Sequence, residues 1–229
     1  MSWRDYWNAD TPIYVNERHK TLHYAGVARD IAAYVTGPEA VVLDHGCGEA
    51  LSADRVAATC ARLLLCDGAP LVRDRLATRF AAEPKIEVLA PEDLGALPDH
   101  SLDLVVVNSL LQYLSPEEFD DLLGLWHSKL KEDGRLVLAD VIPHETGALD
   151  DVAALLRFAW SGGFLRAALL GLVRTALSDY SKLRTELGLT HYGEDEMLAL
   201  LRDRGFAGRR AERNMGHNPK RMTFVAGPA

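Results

Sequence analysis

The sequence predicts an α/β fold, a doubly wound parallel sheet, on three observations. Short apolar runs recur along the chain with helix-like segments between them, the runs end in acidic or small residues, and the first breaks into an Asp-x-Gly-x-Gly turn. In such sheets ligands bind outside the carboxyl ends of the strands, which is where these turns fall.

The elements follow in order. Residues 18 to 35 read as an amphipathic helix, with Tyr24, Val27, Ala28, Ile31 and Val35 at helical spacing. Val41-Val42-Leu43-Asp44 is a buried strand running into His45-Gly46-Cys47-Gly48, and the stretch from Glu49 to Arg55 then opens a helix whose free N–H groups face a ligand. Leu63-Leu64-Leu65-Cys66 is a second strand, closed by Asp67-Gly68; Ile86-Glu87-Val88-Leu89 is a third. The fourth, Leu102 to Val107, ends in Asn108-Ser109. Ser115-Pro116-Glu117-Glu118 is a capping box with proline at the first helical position, so a helix runs from there to about Leu130. Lys131-Glu132-Asp133-Gly134 reads as a turn and Arg135 to Asp140 as a fifth strand. A long, mostly helical segment follows. A last helix from Glu194 to about Arg204 precedes a strand near Arg209 to Met215, a Gly216-His217-Asn218-Pro219 turn and a final strand over Arg221 to Ala226.

The first turn admits a nucleoside-bearing cofactor of either of two classes. A dinucleotide asks for Gly-x-Gly-x-x-Gly, so that pyrophosphate sits on the helix N-terminus. Here the third position is Leu51, and Asp44 would set negative charge beside a phosphate. Asp44 suits a cationic ligand instead. Asp67 stands roughly twenty residues on, the distance at which an acidic residue meets a ribose diol in this class of fold.

The run Asp44-His45-Gly46-Cys47-Gly48 resembles the first motif of class I S-adenosylmethionine-dependent methyltransferases, and the likeness extends from about Glu39 to the end of the chain. The resemblance implies a seven-stranded, mostly parallel sheet with the last strand antiparallel. It implies S-adenosyl-L-methionine as cofactor, with S-adenosyl-L-homocysteine as product, bound by Asp44, Gly46, Cys47, Gly48, Asp67 and Gly68. It also places Glu92, Asp93 and Leu94 at the adenine, although Ala90 and Pro91 replace the usual Asp-Ala there, and it sets Asn108 beside the methionyl part. Arg18, with Tyr14, His23 and Tyr24, could reach the methionyl carboxylate. Asn108-Ser109-Leu110-Leu111 stands where the nucleobase-amine branch carries Asn-Pro-Pro-Tyr, which argues against that branch.

On this reading residues 1–229 form a single domain. Residues 1–38 are a helical lid, 39–143 the cofactor core, 144–192 a helical insert that selects the substrate, and 193–229 the final helix and hairpin. Within the insert, the run Phe164 to Leu177 is too short for a membrane span and is broken by Arg166 and Arg174. Core packing, an acceptor-pocket wall or a homodimer contact each suit it, and Gly162-Gly163 could hinge a lid.

Composition bounds the function. The formal charge of −8 disfavours nucleic-acid binding, and the basic residues Arg202, Arg204, Arg209, Arg210, Arg213, Lys220 and Arg221 are either a solvated face or a patch for an anionic substrate. Cys47, Cys60 and Cys66 lack disulfide or metal spacing, no signal-like run opens the chain, and a reducing cytoplasm without metal is the expected setting. The acceptor is expected to be a small, partly apolar metabolite methylated on oxygen, nitrogen or carbon. No catalytic residue is identifiable; His144, His191, Tyr192 and His217 are candidate general bases, and Tyr113 a candidate wall residue. A nicotinamide-dependent oxidoreductase and a non-catalytic cofactor-binding partner protein are the alternatives.

Overall fold

A computed structural model describes residues 14–176 and 189–229, with the backbone alone at 174–176. The end of the apolar run at Leu177, and residues 177–188 of the expected insert, lie outside the described residues, as do 1–13 of the expected lid.

The strands are β1 (Val41–His45), β2 (Arg62–Cys66), β3 (Ile86–Leu89), β4 (Leu102–Asn108), β5 (Leu130–Val141), β6 (Phe206–Arg210) and β7 (Met222–Pro228). They form one seven-stranded sheet in the order β3-β2-β1-β4-β5-β7-β6. The first five run parallel; β7 is antiparallel to β5, and β6 is antiparallel to β7. This is the expected α/β sheet with a reversed final strand.

The helices are α1 (Glu17–Ala32), α2 (Ala53–Ala57), α3 (Pro70–Arg79), α4 (Pro116–Lys129), α5 (Ala148–Gly162), α6 (Leu165–Ala176) and α7 (Glu194–Asp203). Both faces of the central strands are apolar, so each strand must be covered twice. Leu43, Leu64, Val105 and Leu136 point to the side packed by Phe119, Leu123 and Trp126 of α4 and by Met197 and Leu201 of α7. Their neighbours Val42, Leu63, Leu65, Leu104, Val106 and Val137 point to the side covered by Val27 and Ile31 of α1, Val56 of α2 and Leu76 of α3. The capping box forms: Ser115 Oγ accepts from Glu118 N at 3.1 Å, and Ser115 N donates to Glu118 Oε2 at 2.9 Å.

Three boundaries differ from the sequence reading. After the glycine turn the helix begins only at Ala53 and is five residues long, so backbone of the turn, not a helix end, faces the strand ends. β5 starts at Leu130, through the charged run read as a turn; Lys131 reaches Asp103 of β4 at 2.7 Å, and Gly134 leaves no space for a side chain, since a Cβ would lie 2.9 Å from Lys131 O and 3.0 Å from Leu102 O. β6 occupies Phe206–Arg210 instead of 209–215, because its ladder follows β7. Of the two readings of the C-terminal basic residues, an anion-binding patch is disfavoured, since Arg210 pairs with Glu194 at 2.7 Å, Arg221 with Asp151 at 2.9 Å, and Arg204 with Asp120.

α5 and α6 form a third small core with α1, in which Phe164 and Ala168 pack with Val15, Leu22 and Phe158. Core packing accounts for one face of α6 only, since Leu169, Leu170 and Val173 are exposed. Gly163 ends α5 at φ +73°, a left-handed helix cap at the place read as a hinge. No helix among the described residues is long and apolar enough to cross a membrane.

Candidate functional site

The carboxyl ends of β1, β2 and β4 open into one cleft of about 500 Å³. Asp44, His45, Gly46, Cys47 and Gly48 line it from β1, Asp67, Gly68 and Ala69 from β2, Asn108, Ser109 and Leu110 from β4, and Tyr14, His19, His23 and Tyr24 from the start of α1.

The glycine turn is shaped by its neighbours. Gly46 and Gly48 sit at φ +79° and +57°, conformations that favour glycine. A Cβ on Gly48 would lie 2.9 Å from the Tyr24 hydroxyl, and one on Gly46 would meet Leu110 at 3.1 Å. The Tyr24 hydroxyl accepts from Glu49 N at 3.0 Å, while Lys20, one turn earlier, pairs with the Glu49 carboxylate at 2.6 Å. α1 is therefore tied to the turn at two points. Burial pushes the Tyr24 phenol up to about 12, so it remains an O–H at physiological pH. Tyr24→Phe removes the acceptor for Glu49 N; thermal unfolding should then show a loss of roughly 0.5–1.5 kcal/mol, with weaker binding of ligands that rest on the turn.

Asp67 closes the turn from the next strand. Its Oδ2 accepts from Gly48 N at 3.0 Å and its Oδ1 from Ala69 N at 2.8 Å, which leaves further lone pairs on both oxygens facing the cleft. Burial pushes its carboxyl up, against the pull of those two N–H groups and of Arg73. Asp44 is more extreme: burial, then the nearby Asp67 charge, push its carboxyl up to about 7. Neither carboxylate has a salt bridge among the described residues. Cys47 is buried, and burial followed by Asp44 pushes its thiol well up, which keeps it protonated and unreactive.

The remaining sequence candidates fall in different places. Asn108 lines the cleft, and its Oδ1 is buried with no hydrogen-bond partner. His217 also lines the cleft. Arg18 turns away from it, its Nε donating to Gly162 O at the end of α5. In the 3-10 turn Pro91–Ala96, Leu94 is buried in the core, Asp93 accepts from Ala90 N at 2.8 Å, and Glu92 is exposed; only Pro91 reaches the cleft wall. His144 pairs with Glu196 at 3.0 Å, and His191 makes its ring contact with Pro143 O at 3.2 Å. Tyr192 packs on Phe119, with its buried hydroxyl unpartnered, beside a separate pocket of about 350 Å³. The sequence reading did not single out His19, His45 or Gln112, all of which line the cleft. His19 lies on the same face of α1 as His23, one helical turn away, a spacing that would have paired them.

A cleft of this kind on a doubly wound sheet defines a nucleoside-cofactor enzyme, and the donor set fits S-adenosylmethionine. Two desolvated carboxylates suit a ribose diol and an ammonium, the glycine turn admits close approach of a ligand, and the Asn108 amide oxygen awaits a donor.

The comparisons with known proteins agree. Residues 43–138 match the methyltransferase domain family. Over 106 residues the chain is 34% identical to the carboxy-S-adenosyl-L-methionine synthase of Erwinia tasmaniensis, a match that spans 43% of this chain and 43% of that protein, less than half of its length. Among solved structures, the magnesium protoporphyrin IX methyltransferase of Synechocystis PCC 6803 with bound cofactor is 16% identical with a TM-score of 0.60, covering 99% of this chain and 89% of that one. The Haemonchus contortus phosphoethanolamine N-methyltransferase 1 is 16% identical with a TM-score of 0.65, covering 99% of this chain and 48% of that one. At these identities the structural likeness speaks for the fold. Together the domain match over residues 43–138 and the shared fold support a class I S-adenosylmethionine-dependent methyltransferase.

Proposed function

We propose that this enzyme transfers the methyl group of S-adenosylmethionine to oxygen, nitrogen or carbon of a small, partly apolar acceptor. The observation that carries the reading is one continuous cleft whose lining joins the glycine turn and two buried carboxylates to a set of imidazole and phenol rings. When bound, the cofactor supplies an electrophilic methyl on a sulfonium. Asp67 holds the ribose hydroxyls, Asp44 faces the cationic methionyl end, and Asn108 fixes the same end from β4. Methyl transfer is an in-line displacement, so these residues act chiefly by orienting two reactants and excluding water. The buried, free cysteines suit a reducing compartment, the cytoplasm.

Differential scanning fluorimetry tests the cofactor assignment. S-adenosylhomocysteine should raise the unfolding temperature and NAD should not, because a ligand that binds only the folded state stabilises it by mass action. Stabilisation by NAD alone overturns the assignment in favour of an oxidoreductase. With the cofactor bound, mass spectrometry over an acceptor panel should find methylated products. A carboxylated cofactor would instead indicate the reaction named for the Erwinia relative, and cofactor binding without any product would favour the non-catalytic partner.

A further inference from the structure

Beyond the glycine turn the cleft is walled by imidazoles brought from separate elements: His19 and His23 from α1, His45 from β1, and His217 from the β6–β7 connection. Phenyl rings back two of them. His19 stacks on Phe164 at 5.0 Å and 16°, and His217 stacks on Phe158 at 4.7 Å and 15°. His217 also meets His23 edge-on at 6.1 Å and His19 at 6.4 Å. Burial pushes His19 down to about 4 and His23 to about 3, with His217 adding to both, so these rings are uncharged at physiological pH. The ionisable carboxylates of the same wall are Asp44, Asp67, Glu118 and Asp121, and no Lys or Arg lines the cleft among the described residues. An anion entering it would meet negative charge; a flat neutral ring would meet flat neutral faces.

We propose that this ring-lined wall of the cleft binds an uncharged, planar aromatic acceptor bearing an O–H or N–H group, and that His217 takes its proton during methyl transfer. The proposal rests on the methyltransferase reading above. Local hydrogen bonds separate the four histidines. Val15 N donates to His19 Nδ1 at 3.3 Å, and Trp126 Nε1 donates to His45 Nδ1 at 3.1 Å, so each neutral ring carries its proton on Nε2 and can only donate to a ligand. His23 is held neutral among Tyr14, Tyr24 and His217, in a setting that resists a charged ring.

His217 differs because it lines both the cleft and a depression of about 270 Å³ on the outer surface, and is itself exposed. A proton taken on the cleft side can leave on the other. Although the residue reaches solvent, its ring is packed against Phe158, His19 and His23, and the resulting desolvation lowers its proton affinity; Asp140 on β5 and Asp151 on α5 raise it, and Arg221 before β7 lowers it. The outcome is a ring below its usual value, free to accept at neutral pH. Asp140 is fixed for this role: Ser109 Oγ donates to its Oδ2 at 2.8 Å, and Asn214 binds its N–H at 3.2 Å and its Oδ1 at 3.3 Å, at a left-handed φ of +58°. In the step, a lone pair on the acceptor atom forms the bond to the methyl carbon. The carbon–sulfur pair leaves with sulfur as a neutral thioether, and the acceptor proton passes to His217 and then to solvent.

Isothermal titration with S-adenosylhomocysteine present compares 2-naphthol with 6-hydroxy-2-naphthoate, which differ by one carboxylate. The neutral compound should bind at least about tenfold more tightly, the least expected from setting like charges together. His217→Asn should leave affinity for S-adenosylhomocysteine unchanged and lower kcat for 2-naphthol by about 10²-fold. With S-adenosylmethionine kept saturating at every pH, so that protonation of Asp44 does not empty the site, it should also abolish the fall in kcat on acidification that the wild type shows as His217 protonates. Equal or tighter binding of the naphthoate, binding of neither compound, or an unaltered pH profile in His217→Asn overturns the proposal. Failure of S-adenosylhomocysteine itself to bind would instead strike the cofactor assignment.

Discussion

Asp44→Asn should make the ligand-free protein more stable while it disables cofactor binding. Burial, followed by the charge of Asp67, raises the Asp44 carboxyl from 3.8 to about 7. In the unfolded chain the same group ionises near its ordinary value. The folded state is therefore not penalised below pH 4, where both forms are protonated, and loses stability steadily as pH rises from about 4 through about 7. Each pH unit of displacement corresponds to about 1.4 kcal/mol, so the full cost at pH 8 is on the order of 4 kcal/mol. Asparagine keeps the shape and removes the charge. Thermal unfolding should show the variant several degrees above wild type at pH 8, with the difference vanishing at pH 4.

The same charge has the opposite value once a cation lies beside it. A unit pair about 4 Å apart at a partly screened site is worth a few kcal/mol, so Asp44→Asn should weaken S-adenosylhomocysteine by on the order of 100-fold at pH 8. Wild-type affinity should fall about tenfold for each pH unit below 7, because binding must then expel the Asp44 proton. Calorimetry in buffers of different ionisation enthalpy reads that proton directly. An unchanged affinity in the variant, or no proton release at pH 6, would falsify the placing of the cationic end against Asp44.

How far this was legible in the sequence depends on whether a residue acts through its neighbours in the chain or across the fold. The ends of β1, β2 and β4 were readable because an apolar run and the turn that breaks it are adjacent, and the helix register of α4 because a capping box is a four-residue device. The start of β5 was not, since Lys131 to Gly134 look like a turn until Asp103 on the neighbouring strand supplies a partner for Lys131. Leu94 and Arg18 illustrate the same limit at the site. The motif gives their position, but which way each side chain turns is decided by the core behind Leu94 and by the Gly162 carbonyl beside Arg18. The ring wall was least legible of all, because His19, Phe158, Phe164 and His217 come from four segments with no shared spacing.

Asp67→Ala should produce the largest loss of cofactor affinity of any single substitution that leaves the fold intact. The carboxylate has two structural partners, the N–H groups of Gly48 and Ala69, and further acceptor capacity toward the cleft. Hydrogen bonds to a charged group contribute about 1.5–3 kcal/mol each, so losing two ribose contacts should lower affinity for S-adenosylhomocysteine by roughly 10²–10⁴-fold. Stability should move far less, because two opposing terms meet. The variant leaves Gly48 N and Ala69 N without acceptors, yet it also removes a carboxylate whose raised proton affinity reports a cost of burial. Asp67→Asn separates the two roles. Its single carbonyl oxygen can serve one of the two N–H groups while its amide faces the other donor-to-donor, so the turn should distort and the variant should unfold at a lower temperature than Asp67→Ala. Affinity within about twofold of wild type in Asp67→Ala would mean that the ribose is held elsewhere, since the loss of even one charge-assisted hydrogen bond exceeds that figure.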